Sequence, residues 1–295
     1  MSENDWDQAV QRELGVKFGA MRQVSGGDFA QAWCVEVESS GENARVVEGA
    51  SLFVKTHANP PPNHFSTEAR GLEWLKATES VAVPTVLARS DNPPYLALEW
   101  IHEGGRSAGS EGVLGTQLAK MHKHPVSCFG REDRRTTGSL GLPNEPCSSW
   151  AEFYGTQRLQ PLAKIASDRA ALSQLTIERI EILSQRLNEF AELDTAASCL
   201  HGDLWAGNRL VDSDGRNWLI DPACHGGHRE FDLAMMRLFG GYGEDCFNTY
   251  QDNYPLEAGW RERVPMHQLA PLIVHAIKFG RSYVSPTEEA LALYV

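Results

Sequence analysis

Apolar and polar positions divide the chain into two unlike stretches. Gln31 to Val37 (Gln-Ala-Trp-Cys-Val-Glu-Val) is apolar and β-prone, with a turn following at residues 39–43. Val46-Val47 and then Ser51-Leu52-Phe53-Val54-Lys55 predict a further strand. Asn59-Pro60-Pro61-Pro62-Asn63 breaks the pattern. Phe65, Ala69, Leu72 and Leu75 then recur at helical spacing, which predicts an amphipathic helix over 65–77 with Ser66 as its N-cap. Val86-Leu87-Ala88, a turn at 91–94 and the apolar run from Tyr95 to Ile101 predict two more strands. At 103–110 the chain turns rich in glycine and serine, and the lobe boundary is placed there. The expectation is an N-terminal lobe over 1–101 and a C-terminal lobe over 102–295. Beyond the boundary, helices are predicted over 113–121, 150–165 and 172–193, and again from Asp232. Two short strands, 209–211 and 218–220, joined by a turn at 212–215, interrupt them. The fold class is therefore α+β: an antiparallel sheet with one main helix, then a mostly helical lobe.

Composition narrows the functions open to such a chain. With 42% hydrophobic and 22% charged residues in a chain of 295, it can bury a core. Its formal net charge of -12 repels phosphate backbones, which argues against nucleic acid as a partner. A single nucleotide is still admissible, because local donors and a metal ion can hold one inside an acidic protein. The start Met1-Ser2-Glu3-Asn4-Asp5-Trp6 lacks the basic and apolar segments of a secretory signal, and no apolar run is long enough to span a bilayer. No membrane partner and a cytoplasmic location are expected. The six cysteines are scattered without a C-x-x-C pair and read as reduced thiols.

The candidate chemistry lies in His201-Gly202-Asp203-Leu204-Trp205-Ala206-Gly207-Asn208 and in Asp221, thirteen residues beyond Asn208. Kinases space a catalytic Asp, a metal-binding Asn and a second metal-binding Asp in this way. Mg²⁺ is a hard ion that takes oxygen ligands, which Asn208 and Asp221 offer. A separate carboxylate, Asp203, must stand beside the attacking hydroxyl to accept its proton. Alone, each of these could be a cap or a turn residue; together, the spacing favours phosphoryl transfer. Lys55, ending a predicted strand, is placed to contact the α- and β-phosphates of ATP, and Glu68 on the next helix could hold it by an ion pair. Gly26, Gly27 and Asp28 form a loop that could cover the phosphates, although it does not match G-x-G-x-x-G. Glu99, Trp100 and Ile101 lie where the lobes meet. There the Glu99 carbonyl and the Ile101 N–H could hydrogen-bond adenine.

Taken together, these residues resemble the fructosamine-kinase, or ketosamine-kinase, family, a branch of the protein-kinase-like and aminoglycoside-phosphotransferase-like proteins. The likeness runs over nearly the whole chain. It rests on Gly26 to Asp28, Phe53-Val54-Lys55, Glu68-Ala69 with Gly71-Leu72, and Leu98-Glu99-Trp100. It continues through His201 to Asn208, Ile220-Asp221-Pro222-Ala223 and His228-Arg229-Glu230-x-Asp232-Leu233-Ala234. The resemblance implies a two-lobed kinase fold, ATP and Mg²⁺. It also implies transfer to a sugar hydroxyl, commonly the third, of ribulosamines, erythrulosamines or fructosamines, whether glycated small amines or glycated protein lysines. The product releases its amine, which makes the family a deglycation system. By the same likeness Trp205 and His275 face the sugar, and Asp232 holds the catalytic loop by hydrogen bonds. The chain departs from its relatives in the charged run Arg131 to Arg135, read as a solvated loop, and at His225, where relatives favour Tyr. Cys224-His225-x-x-His228 does not have the spacing of a known zinc frame. His122, at a predicted helix end, reads as a cap partner. The rival readings are a kinase of another small metabolite, such as an aminoglycoside or amino alcohol, and a regulatory pseudokinase.

Overall fold

Burial of period two shapes the N-terminal lobe. A computed structural model describes residues 5–24, 29–42, 44–105, 109–190, 193 and 195–295. Helix α1 (Asp5–Leu14) leads into β1 (Val16–Val24), β2 (Gln31–Ser40) and β3 (Ser51–Thr56); α2 (His64–Ala77), β4 (Val86–Asp91) and β5 (Pro94–Glu99) follow. The five strands form one sheet in the order β1-β2-β3-β5-β4, antiparallel throughout. Successive side chains of a strand point to opposite faces. In β5, Tyr95 and Ala97 join Leu52, Val54 and the Trp6, Ala9, Val10 and Leu14 stripe of α1. Leu96 and Leu98 point the other way, onto Phe65, Ala69, Leu72 and Leu75 of α2. The central strands β3 and β5 are thus covered on both faces, whereas most of β1 stays exposed. Lys55 falls on the α2 side of β3, in phase with Phe53. Truncating a fully buried leucine such as Leu72 to alanine would cost about 2–5 kcal/mol.

Several local features differ from the sequence expectation. Helix α1 was not anticipated, although its buried stripe is periodic. Val46-Val47 lies outside the strands, and β3 begins only at Ser51. Ser66 is not the N-cap of α2. The helix starts at His64 after Asn63, whose backbone is left-handed (φ 59°) and whose side chain makes no cap bond. Ser66 Oγ instead donates to the Asn63 carbonyl at 3.1 Å, so it does not cap an N–H. The loop Gly26-Gly27-Asp28 lies outside the described residues.

The C-terminal lobe runs through α3 (Ser110–Lys123), α4 (Trp150–Phe153), a π-helical turn (Tyr154–Leu159), α5 (Gln160–Asp168) and α6 (Gln174–Arg186). Four short strands come next: β6 (Ser198–Leu200), β7 (Arg209–Val211), β8 (Asn217–Leu219) and β9 (His225–Gly227). Helices α7 (Glu230–Leu238), α8 (Glu244–Asn253), α9 (Trp260–Phe279) and α10 (Val284–Leu291) complete it. Its own core gathers Trp150, Phe153, Tyr154, Ile180, Leu183, Met266 and Ile273. The core begun by α2 and β5 does not stop at the lobe edge. It continues into Leu114, Leu118, Leu204, Leu219, Leu233, Met236 and Tyr250. Hydrogen bonds from Leu219 N to Ala82 O (2.8 Å) and from Gly104 N to Val211 O (2.7 Å) cross the same junction.

Two irregularities position the site. Helix α9 contains Pro265 and Pro271, and a proline cannot donate to the carbonyl four residues back. Tyr154 Oη sits at the break: it donates to Met266 O (2.7 Å) and to His267 O (3.3 Å), the carbonyl that Pro271 leaves without a donor, and accepts from Ala270 N (3.1 Å). The last turns of α9, which carry His275 and Lys278, are thereby held in place. The second irregularity is the charged run after Gly130, which is not simply solvated. Arg131 is only 5% exposed. It donates to both oxygens of Asp133 (2.8 and 2.9 Å) and to Cys224 O (3.0 Å). A guanidinium with a carboxylate and a carbonyl in reach is satisfied inside the protein, so Arg131 anchors the run to Cys224 while residues 132–134 stay exposed.

Candidate active site

The motif from His201 to Asn208 leaves β6 as a loop held from behind by one carboxylate. Asp232, fully buried in the first turn of α7, accepts from His201 N (2.8 Å) and Gly202 N (2.9 Å). It also meets His122 Nε2 at 3.1 Å, and His122 Nδ1 meets Tyr250 Oη at 2.9 Å. Burial pushes the Asp232 carboxyl up, but the His122 contact and the backbone N–H donors outweigh it and hold it below the usual range. His122 is therefore a core bridge rather than a helix cap. His201 Nε2 lies 3.0 Å from Ile220 O, and His201 Nδ1 accepts from Asp203 N at 3.3 Å. This fixes a neutral ring with its proton on Nε2, and burial lowers the His201 pKa accordingly. Gly202 is a requirement of the motif. Its φ is +81°, and a Cβ there would sit 2.2 Å from Ala223 O. At Gly207 a Cβ would meet the Trp205 ring at 2.2 Å.

Asp203 and Asp221 line the same small cavity. Asn208 Nδ2 donates to Asp203 O (2.8 Å) and Asp203 Oδ2 (3.1 Å), which leaves the amide oxygen as an acceptor. Asp221 stands on a left-handed backbone (φ 55°) just past β8. Lys55 spans the cleft: its ammonium donates to Glu68 Oε1 at 2.9 Å and also to Asp221 Oδ1. Burial alone would lower the Lys55 pKa. Asp221 and Glu68 outweigh it and keep the ammonium charged well above its ordinary range. Asp203 is pushed up to about 7, first by burial and then by the Asp221 charge, against the opposing pull of Asn208 and Lys278.

Lys55, Glu68, Asp203, Asn208 and Asp221 share the walls of a cavity of about 190 Å³, with Phe29, His64 and the Thr137-Gly138-Ser139 segment. Asp203, Trp205, Lys278 and that same segment also line a second cavity of about 520 Å³. The larger cavity contains His275 and is mainly apolar, with Leu140, Phe231 and Ala270 in its wall. Trp205, Phe239, His275, Phe279 and Tyr283 form a collar of neighbouring rings, with His275 4.9 Å from both Phe239 and Tyr283. His275 Nδ1 is held by Pro271 O at 2.7 Å.

Seven sequence-predicted residues thus come together: Lys55, Glu68, Asp203, Trp205, Asn208, Asp221 and His275. Glu99, Trp100 and Ile101 line neither cavity. The Glu99 carboxylate accepts from Thr85 N at 2.8 Å, and Trp100 lies 6.3 Å from Phe53. The sequence reading missed Lys278, the Thr137–Ser139 segment and the aromatic collar. One signal was available: His275, Lys278 and Phe279 stand at i, i+3 and i+4 on one helix. The run around His228 gathers differently from its sequence spacing. His228 lies with Glu230 and His267, their ligand atoms within 4.8 Å of one another. Arg263 already engages both Glu230 oxygens (2.9 and 2.6 Å).

Known proteins resemble this chain in sequence and in fold. The family model for fructosamine kinase matches residues 3–295. The protein-ribulosamine 3-kinase of Arabidopsis thaliana, chloroplastic, is 34% identical over 81% of this chain and 74% of its own. A Lactiplantibacillus plantarum protein, provisionally named a ketoamine kinase, is 33% identical over 93% of this chain and 94% of its own. A crystal structure from Thermobifida fusca, provisionally assigned as a fructosamine-3-kinase, superposes with TM-score 0.87 at 34% identity, covering 99% of this chain and 98% of that one. The aminoglycoside phosphotransferase APH(2")-IIa, solved with streptomycin and ATP, has TM-score 0.65 at 16% identity over 100% and 99% of the two chains, a likeness of fold alone. A two-lobed kinase-like frame and a family match that spans the chain lead to one conclusion: this chain belongs to the fructosamine kinase family.

Proposed function

We propose that this protein transfers the γ-phosphoryl group of ATP to a sugar hydroxyl, the third, of a ketosamine such as a ribulosamine, erythrulosamine or fructosamine. The observation that carries the reading is the position of Asp203, which lines both cavities. One cavity has the chemistry for phosphates and a metal, and the other has the aromatic walls suited to a sugar and its amine. The names of the relatives support the ketosamine as acceptor.

The donor set fits a hard cation. The Asn208 amide oxygen and the second oxygen of Asp221 are the ligands left over once their other atoms are engaged. Bound there, Mg²⁺ would neutralise charge on the transferring phosphate. Lys55, held by Glu68, would contact the α- and β-phosphates. Asp203 would accept the proton of the acceptor hydroxyl and orient its oxygen in line. The Trp205 face would pack on the apolar side of the sugar while His275, oriented by Pro271, borders the same space. We assign residues 1–101 to nucleotide binding, with the backbone of Glu99 and Ile101 holding adenine and the loop at Gly26 to Asp28 over the phosphates. Residues 102–295 would carry acceptor and catalysis.

ATP consumption with ribulose-, erythrulose- and fructose-derived amines, beside aminoglycosides and choline, tests the assignment. Turnover is expected on the ketosamines alone, and Asp203→Ala should reduce it by about 10²–10⁴-fold while nucleotide still binds. Turnover confined to aminoglycosides or choline, or near-normal turnover in the variant, would sink it.

A further inference from the structure

The larger cavity holds a positive charge for which the protein provides no counter-charge. Arg158 lies in its wall and is only 3% exposed. Its Nη1 donates to the carbonyls of Pro143 (2.6 Å) and Gln157 (2.9 Å), and its Nη2 donates to Asn144 Oδ1 (2.7 Å). The guanidinium carbon stands 4.6 Å from the Phe153 ring centroid. Every partner is neutral, and no carboxylate lies within ion-pair distance among the described residues. Buried cations are normally matched by an anion, because desolvating an unpaired charge is costly. Burial accordingly drags the Arg158 pKa down to about 9. A clamp for three neutral acceptors would not itself need a permanent charge.

Two further observations single the position out. Arg158 sits in the π-helical turn between α4 and α5, an irregularity that re-aims side chains and recurs at functional sites. Beside it, His225 lines the same cavity and stacks on Phe153 at 5.1 Å. Its Nδ1 is bonded to Ala223 O at 2.9 Å, and its Nε2 has no partner although the residue is 1% exposed. Burial first, and then the Arg158 charge, push the His225 pKa down to about 3, so the ring stays neutral. The wall of the cavity that Asp203 also lines thus offers a cation and a bare acceptor in apolar surroundings, where charge pairing is strong. Asp203 lies where the two cavities meet, whereas Arg158 borders only the larger one. A hydroxyl delivered to Asp203 therefore leaves the rest of the acceptor to extend towards Arg158.

We propose that Arg158 recognises a carboxylate on the acceptor, so that the preferred substrates are ketosamines of free α-amino acids. The proposal rests on the ketosamine reading above and names the amine within it. N-ribulosylglycine and N-ribulosylglycinamide differ in charge but hardly in shape, and steady-state kinetics on the wild-type enzyme compare them directly. The acid should have the higher kcat/KM by at least about tenfold, mainly through KM. In Arg158→Met the ratio should fall towards one because KM for the acid rises, with its kcat within about twofold of wild type. Arg158→Lys should recover part of the preference. A wild-type ratio near one, or a folded Arg158→Met variant that keeps the preference, would overturn the role of Arg158 while leaving the ketosamine reading intact. No phosphorylation of either compound would overturn both. Thermal melts report whether each variant folds; where Arg158→Met does not, the wild-type ratio decides.

Discussion

At Asp203 two demands collide. The proton acceptor proposed at this position should be ionised at working pH, yet burial and the neighbouring Asp221 charge lift its carboxyl to about 7 in the ligand-free protein. The sign of the stability effect follows. An unfolded Asp loses its proton near its ordinary value of 3.8, whereas the folded one keeps it to about 7. Stability from this group therefore falls as pH rises through that window, and the cost is fully present above it. Asp203→Asn should raise Tm relative to wild type above about 7 and lose that advantage in acid; thermal melts across pH measure it. With saturating nucleotide and Mg²⁺, a cation at Asp221 would cancel the second cause of the shift. The acid limb of turnover should then lie below the free-enzyme value, and a limb unmoved from about 7 would place the cation elsewhere. Lys55, Glu68, Asn208 and Asp221 could be read from spacing alone, because each is tied to a strand or loop whose length fixes its reach. Arg158 could not. Its carbonyl partners carry no side-chain signature, and its significance lies in a carboxylate that is missing.

Among elements, the loop from His201 to Asn208 depends on a residue that lines neither cavity. Asp232 takes two backbone N–H groups and His122 on its two oxygens. An asparagine there would turn an NH₂ towards a buried donor. Asp232→Asn should cost about 3 kcal/mol in denaturant unfolding and lower kcat through a loosened loop. A variant as stable as wild type would show that α7 and the loop are not coupled in this way. The same scale shows what sequence periodicity can convey. The α2 stripe was legible because Phe65, Ala69, Leu72 and Leu75 are buried along one face. Its start was not, because Asn63 ends the preceding turn by backbone conformation rather than by a side-chain cap. Helix α1 shows the opposite failing: Trp6, Ala9, Val10 and Leu14 are periodic, but charged residues between them masked the face. Arg131 was misread because its decisive partner, Cys224 O, lies 93 residues away.

At the scale of the molecule, the expected pair of lobes is present, but the hydrophobic core that joins them was not foreseeable from local patterns. Phe65, Leu72 and Leu98 on one side pack in the same cluster as Leu114, Leu204 and Leu233 on the other. Unfolding should therefore be a single cooperative transition, with calorimetric and van't Hoff enthalpies in agreement. Two resolved transitions would mean that the shared core contributes little to coupling. The Lys55–Asp221 contact crosses this same junction, between residues 166 apart in sequence. In the absence of ligand, the chain's own ammonium pairs with one oxygen of Asp221, whose other oxygen is the one proposed above for a divalent cation. A cation arriving there alone would sit beside the Lys55 charge, whereas nucleotide phosphates would give Lys55 a new partner and ease that repulsion. Nucleotide and metal would then be thermodynamically linked, each tightening the other by the same factor. With the proposed metal site, the bare enzyme would favour the two arriving together, and its internal ion pair would be the reason.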